Sequence, residues 1–298
     1  MLRHLNRSPS KPSRVVVLGT NGFVGGAIAK RLQTDNVDVI PITRREVDLL
    51  EADAGDRLAS LLSPEDVFVA ASAIAPCVNS TMLVQNTVIM RAITDALSKQ
   101  PVAHVLNVSS DAVYADSTEP LTELSFRSPE SIHGAMHFAR ELLFRNTVTA
   151  PLVSLRPTLI YGPSDPHNGY GPNRFIRLAK QGSPITLFGN GEERRDHVFI
   201  DDAAELAVRL IYMRSCGEIN IATGMVHSFR DIAEKVVALS GGSVAINTVP
   251  RVGEMPHNGF RPFDPGGTSA AFPDFSYTSF DDGLAASWAA MKPERKRG

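Results

Sequence analysis

A short apolar run followed by three regularly spaced glycines constrains the fold of this chain more than any other feature. Residues 15–18 read Val-Val-Val-Leu, which is typical of a buried parallel strand. Gly19, Gly22 and Gly25 follow, and good helix formers occupy residues 27–32. Glycines allow a tight turn and a close approach to the backbone, and a helix N-terminus favours an anion. The segment predicts a strand–turn–helix phosphate site, although the pattern also fits a plain turn between two core elements.

The first half of the chain alternates apolar runs with helical patterns. Strands are predicted at residues 37–42, 67–71, 102–108 and 151–155, and helices at residues 81–97 and 132–144. Such alternation favours βαβ units and a parallel sheet. We therefore predict an α/β fold, a doubly wound Rossmann sheet with a smaller C-terminal substrate-binding lobe.

The composition changes after residue 156, where proline and glycine crowd a long loop that ends near residue 172. Helices are predicted at residues 173–180, 202–213 and 229–239, and residues 249–280 are expected to be mostly irregular. The predicted organisation is a disordered basic leader (1–13), a dinucleotide-binding domain (14–160) to which residues 195–222 return, and a substrate lobe (161–194 and 223–298).

Charge and cysteine content exclude several classes of protein. The formal net charge is -2 and 43% of the residues are hydrophobic, so the sequence predicts neither a nucleic-acid nor a membrane partner. Cys77 and Cys216 are the only cysteines, which gives no disulfide framework and favours a reducing compartment. We expect a cytoplasmic protein.

The end of the second predicted strand bears on the choice of dinucleotide. NAD-binding proteins usually place an acid there to bind the ribose 2′-hydroxyl. Here the residues are Thr43-Arg44-Arg45, and the first carboxylate is Glu46. Because two guanidiniums suit a 2′-phosphate, the sequence predicts NADP rather than NAD. The alternative is a solvated basic turn.

Five segments in order, covering most of the chain, resemble one family. The resemblance is to the extended short-chain dehydrogenases/reductases, in their NAD(P)-dependent nucleotide-sugar epimerase, dehydratase and reductase group. The segments are Gly19-x-x-Gly22-x-x-Gly25, Ser109-Ser110-Asp111-Ala112-Val113-Tyr114, Pro120-Leu-Thr-Glu123, Leu155-Arg156-Pro157 to Tyr161-Gly162-Pro163, and Leu187-Phe-Gly-Asn-Gly191 to Arg195-Asp196 and Asp201-Asp202. The resemblance implies a nucleotide-sugar ligand and a homodimer.

The resemblance also assigns binding residues. It implies that Ser110 binds the C4 oxygen of the sugar, and Ala112 stands where dehydratases of the family carry a glutamate, which disfavours dehydration. The implied substrate contacts are Asp111, Asn173, Arg195 and Arg261. The implied cofactor contacts are Gly19, Asn21, Gly22, Phe23, Val24, Gly25, Arg44, Arg45, Asp48, Leu49, Ala71, Ser72, Asn86, Val108, His137 and Pro157.

The catalytic pair of the family is replaced. Where it has Tyr-x-x-x-Lys, this chain has His133 and His137, four residues apart and so on one helix face. In one interpretation His133 is the general acid/base, since an unperturbed imidazole pKa of about 6.5 needs no neighbouring cation, and His137 binds the ribose. In a second the site is inactive, and in a third both histidines bind a metal with Glu141. The sequence favours the first and disfavours the metal.

The predicted function is therefore an NADP-dependent oxidoreductase or epimerase acting on a nucleotide-linked sugar. Ser110, His133 and His137 are its candidate catalytic residues. The alternative is a catalytically inactive NADP(H)-binding sensor of the same fold.

Overall fold

The computed structural model describes residues 2–292, which form nine α-helices and thirteen strands. The strands are β1 (Arg3–His4), β2 (Arg14–Leu18), β3 (Asp38–Ile42), β4 (Val67–Ala70), β5 (His104–Val108), β6 (Leu152–Pro157), β7 (Leu159–Tyr161), β8 (Ile185–Phe188), β9 (Arg194–Phe199), β10 (Ser215–Ile221), β11 (Val226–Ser228), β12 (Ile246–Val249) and β13 (Phe260–Arg261). The helices are α1 (Phe23–Thr34), α2 (Ala54–Ser60), α3 (Ser80–Lys99), α4 (Ile132–Thr147), α5 (Pro172–Lys180), α6 (Ile200–Tyr212), α7 (Phe229–Leu239), α8 (Gly266–Ala271) and α9 (Phe280–Ala290).

A seven-stranded sheet in the order β1-β10-β6-β5-β4-β2-β3 forms the centre of the molecule. All neighbouring strands are parallel except β1, which runs antiparallel to β10. Helices α1 and α6 pack together on one face, and α2, α3 and α4 pack in sequence on the other. Because both faces are covered, β4 is apolar and buried at every residue, whereas β5 and β6 also bury the polar residues His104, Asn107, Ser154 and Arg156. The predicted α/β Rossmann class is confirmed.

The smaller lobe has its own sheet and core. Strand β9 pairs with β7, β11 and β13, and helices α5, α7 and α9 bury Phe175, Phe229 and Leu284 against one another. The domain bounds predicted from sequence placed β9 with the Rossmann sheet, whereas the chain returns to that sheet with α6 and β10. Met1 and residues 293–298 of the predicted leader and substrate lobe lie outside the described residues.

The leader differs from its prediction. Arg3–His4 pairs with β10, and the backbone N–H groups of Leu5 and Ser10 donate to the carbonyls of Met213 and Tyr212. His4 Nδ1 also lies 2.7 Å from Ser215 Oγ. Residues 2–13 are therefore not disordered as predicted, because the edge strand β10 and the carbonyls at the C-terminal end of α6 give their backbone hydrogen-bond partners. The basic, proline-containing sequence of this segment does not reveal that it has hydrogen-bond partners about 200 residues later in the chain.

Candidate active site

The glycine turn between β2 and α1 is built for close approach of a ligand. Gly19 has φ +97°, and a Cβ there would lie 2.8 Å from Ser72 Oγ. A Cβ at Gly25 would lie 2.4 Å from the Gly19 carbonyl oxygen, so no side chain fits at that position. Helix α1 begins after Gly22 with no side-chain cap, which leaves its first N–H groups for an anion. The turn therefore fits the pyrophosphate of a dinucleotide.

A cavity of about 320 Å³ lies beside this turn at the end of β3. Its lining includes eight of the predicted cofactor contacts: Gly19, Asn21, Gly22, Arg44, Asp48, Leu49, Ala71 and Ser72. Arg45 is exposed on the same turn, where hydrogen bonds from Thr43, with a smaller contribution from the Arg45 charge, lower the pKa of Glu46. An exposed guanidinium at the cavity wall can meet a phosphate without breaking a buried ion pair.

A second cavity, of about 430 Å³, joins the glycine turn to the two histidines. It brings together further predicted residues: Gly22, Phe23, Val24, Gly25, Ala71, Val108, Ser110, His133, His137, Pro157 and Asn173. Asn86 does not line either cavity. Its side-chain amide accepts a hydrogen bond from the Ile74 N–H and donates to the carbonyls of Ile74 and Met82. It shapes the loop after β4 with its polar atoms already occupied.

The two histidines stand edge to face on α4. Their ring centroids are 4.7 Å apart with an interplanar angle of 86°. The backbone N–H of Cys77 donates to His133 Nδ1 at 3.3 Å, whereas His137 Nδ1 is buried with no hydrogen-bond partner among residues 2–292. Burial lowers the pKa of both imidazoles below 6.5, and for His137 the charges of His133 and Arg140 add to the effect. Both rings are therefore neutral near pH 7.

Ser110 lies where β5 passes into a short 3₁₀ turn at Asp111–Val113. Its Oγ accepts from the Ala112 N–H at 3.1 Å and donates to Asp111 Oδ1 at 3.3 Å. The Asp111 charge partly opposes the burial that lowers the pKa of His133. Ser110 and His133 therefore share one polar environment at the cavity wall.

The metal interpretation of His133, His137 and Glu141 is wrong. Glu141 forms a buried bidentate ion pair with Arg156, with distances of 2.8 and 2.7 Å, and accepts from Ser109 Oγ at 2.6 Å. Its carboxylate is therefore already bound to Arg156 and Ser109 and is not available to a metal, although Glu141 lies one helical turn after His137. No group of three or more histidine, cysteine or acidic side chains in the described chain could hold a metal ion.

Arg140, which sequence reasoning missed, is a cation buried under the same helix. It is 1% exposed and donates to Asn107 Oδ1 and to the carbonyls of Ala70 and Ser72 at 2.6–2.7 Å. Because these partners are neutral, desolvation lowers the pKa of Arg140 to about 10. The bonds to Ala70 and Ser72 fix the segment that follows β4, which lines both cavities. In sequence, Arg140 resembles an ordinary polar helix residue.

The predicted substrate contacts are engaged within the protein. Asn173 Nδ2 donates to Asp165 at 2.7 Å, and its Oδ1 accepts from the Gly162 N–H. Arg195 pairs with Glu193, and Arg261 pairs with Asp111. These arginines are 6% and 2% exposed, so the structure places them close to Asp111 but holds them in internal ion pairs. Sequence reasoning missed Glu193, although it belongs to the charged run Glu192-Glu193-Arg194-Arg195.

The structure combines a parallel Rossmann sheet, an uncapped glycine turn and a small lobe. A comparison with protein families agrees with this architecture. The family described as NAD dependent epimerase/dehydratase matches residues 15–222, more than half of the chain. This chain belongs to that family. The resemblance inferred from sequence is confirmed, and the family uses a nicotinamide cofactor.

Individual relatives agree. A UDP-glucose 4-epimerase of Mycolicibacterium smegmatis is 27% identical over 263 residues, covering 76% of this chain and 83% of the relative. A dTDP-L-rhamnose 4-epimerase of Burkholderia thailandensis is 28% identical over 321 residues, covering 85% and 88%. A GDP-L-fucose synthetase from Naegleria fowleri bound to NADP shares the fold, with a TM-score of 0.80 and 16% identity, covering 97% and 96%.

The sequence also predicts that the protein has no membrane partner, that it forms a homodimer and that it is cytoplasmic. No helix within residues 2–292 is long and apolar enough to cross a membrane. The homodimer and the cytoplasmic location stay predictions.

Proposed function

We propose that this protein uses NADP to reduce or oxidise one carbon of a nucleotide-linked sugar, with His133 handling the proton. The observation that carries the proposal is the shared cavity, since Ser110, His133 and His137 line the same space as Gly22 and Gly25. A bound nicotinamide supplies or accepts the hydride. The residues of the chain must then hold the sugar and move one proton.

The glycine turn and the N-terminus of α1 would hold the pyrophosphate of the dinucleotide. Arg44, on the wall of the neighbouring cavity, and Arg45, exposed beside it, would bind the 2′-phosphate. Asp48 lines the same cavity, but its Oδ1 already accepts from the Leu50 N–H at 3.1 Å. These features support NADP over NAD.

His133 is held in one tautomer by its neighbour. Because the Cys77 N–H donates to Nδ1, the proton of the neutral ring is carried by Nε2. A neutral ring in this form can donate a hydrogen bond from Nε2–H to a ketone oxygen of the sugar, which favours binding of the keto form. Delivery of a proton to that oxygen after hydride transfer requires the imidazolium, which returns to neutral imidazole, and in the imidazolium Nδ1 no longer accepts from Cys77. Ser110 would hold the same oxygen, and neutral His137 would bind the ribose hydroxyls in place of a lysine.

The same contact supports a second candidate function. With Nδ1 engaged and both imidazoles neutral, the pair has no charged group with which to drive proton transfer. A protein of this kind would bind the dinucleotide and sense its redox state without turnover.

Replacing His133 separates the two functions. We expect His133→Ala to lower kcat/KM for NADPH-dependent reduction of a 4-keto nucleotide sugar by about 10²- to 10⁴-fold, because that is the usual contribution of a positioned acid. The dissociation constant of NADPH should change by less than about twofold. The matched control is His227→Ala, a half-buried histidine that stacks on Phe280 at a ring distance of 4.3 Å.

Stopped-flow or steady-state absorbance at the NADPH band measures turnover, and protein fluorescence measures binding. Wild-type protein that binds NADPH but reduces no member of a keto-sugar panel would contradict the enzyme and support the sensor.

A further inference from the structure

Three arginines and three carboxylates meet where the small lobe covers the end of β5. Arg195 comes from β9, Arg261 from β13, and Arg251 from the segment after β12. Their ion-pair partners are Glu193, Asp111 and Asp116. The formal charges of these six groups cancel, although a diphosphate, with about two negative charges, would be bound best by a net positive site.

Arg261 is almost fully engaged within the protein. A guanidinium has five N–H groups. Four of those of Arg261 donate to Asp111 Oδ2, Asp116 Oδ1 and the carbonyls of Asp111 and Tyr114, and the fifth faces His257 Nδ1, which itself donates to Asp116. Its side chain is 2% exposed. It therefore ties β13 to the 3₁₀ turn after Ser110, and a diphosphate must find its cations elsewhere in the cluster.

Glu193 holds the other two arginines. Its carboxylate lies 2.5 Å from Arg195 Nη2 and 3.1 Å from Arg251 Nη2, and the side chains of Glu193 and Arg195 are each 7% exposed. Arg195 Nη2 also donates to the carbonyl of Pro256 at 2.9 Å. Glu193 thus sits between the two guanidiniums in the place of an external anion.

Donors nevertheless remain in this pair. Arg195 Nη1 and Arg251 Nε are buried and have no hydrogen-bond partner within residues 2–292. Buried donors of this kind are uncommon, because each forfeits its hydration. They are the groups that a ligand oxygen would satisfy once Glu193 moved away.

We infer that Glu193 is a specificity-determining residue, an internal counter-ion that a substrate diphosphate must displace from Arg195 and Arg251. The inference rests on the proposed nucleotide-linked substrate and adds what controls its affinity. While Glu193 remains charged and close, it repels the diphosphate as well as occupying its partners. The site therefore discriminates against diphosphates bound by charge alone and requires the nucleoside and the sugar to contribute binding energy.

Glu193→Gln tests the inference, because the amide keeps the shape of the side chain and removes its charge. We expect the dissociation constant of UDP, measured by isothermal titration calorimetry on the full chain, to fall at least about tenfold, and that of UMP to fall less. The matched control is Glu192→Gln in the same turn, a carboxylate that accepts from the Asn190 N–H at 2.8 Å. The control should bind UDP as the wild type does.

The outcomes separate the inference from the proposed function. Equal UDP affinity in wild type and Glu193→Gln would overturn the inference and leave a nucleotide-sugar protein in place. Absence of binding of UDP, dTDP and GDP in both would overturn the inference together with the proposed substrate class. Retained NADPH affinity and an unchanged unfolding temperature in Glu193→Gln show that the variant is folded, so that either result is decisive.

Discussion

The two ends of the dinucleotide cleft contrast in how they treat charge. At the glycine turn, α1 begins without a side-chain cap and Arg44 stands exposed at the cavity wall, so cationic and partially positive groups are ready for phosphate. At the other end, His133 and His137 are neutral through burial. Arg140, whose charge helps to lower the pKa of His137, is buried and donates only to neutral acceptors.

The difference shows that binding of the dinucleotide and transfer of a proton depend on separate parts of this fold. The glycine turn depends on backbone geometry, which three glycines specify almost completely. Proton transfer depends on two side chains whose pKa and tautomer are set by packing around α4. A change at the histidines can alter or remove the chemistry while the dinucleotide site stays intact.

The largest expected effect on dinucleotide binding belongs to the glycine turn. Gly25→Ala would place a Cβ 2.4 Å from the Gly19 carbonyl oxygen, so the turn must open and its N–H groups lose their alignment. We expect NADPH affinity, measured by fluorescence titration, to fall by about 100-fold or more. Gly55→Ala, whose Cβ would lie 3.2 Å from that of Asp95 in α3, is the control and should bind normally. Normal binding by Gly25→Ala would show that the pyrophosphate lies elsewhere.

A smaller effect is expected at the adenosine end. Removing both guanidiniums in Arg44→Ala/Arg45→Ala should raise the dissociation constant of NADPH about tenfold and that of NADH by less than about twofold, since only NADPH carries the 2′-phosphate. Arg91→Ala, on the exposed side of α3, serves as the control. Equal losses for the two dinucleotides would remove the basis for preferring NADP.

Much of the Rossmann half follows from sequence because its signals are local. Strand β2, the glycines and the start of α1 adjoin one another, and α4 begins at Ile132 as its pattern predicts. The structure begins α3 at Ser80 and ends it at Lys99, close to the predicted 81–97. Strands β1 and β7 to β13 escaped prediction. Most of them have only two to four residues, and the longer β9 and β10 read RRDHVF and SCGEINI, without a continuous apolar run.

The site is less predictable than the fold for the same physical reason. Spacing alone placed Glu141 one turn after His137, but its actual partner, Arg156, lies on a different element, β6. Likewise, nothing local reveals that the Cys77 N–H meets His133 or that Glu193 bridges Arg195 and Arg251. Such contacts join segments through tertiary packing, and they decide which groups remain available for chemistry.

The pH dependence of NADPH oxidation in a single turnover with a 4-keto nucleotide sugar tests most directly whether His133 delivers the proton. Burial lowers the pKa of His133 below 6.5, against a smaller opposing effect of Asp111. Its protonated, proton-donating form therefore accumulates only below that pH, and the reduction rate should rise as the pH falls through this range. In His133→Gln the rise should be lost while NADPH still binds. The same acidic rise in wild type and His133→Gln would contradict the account.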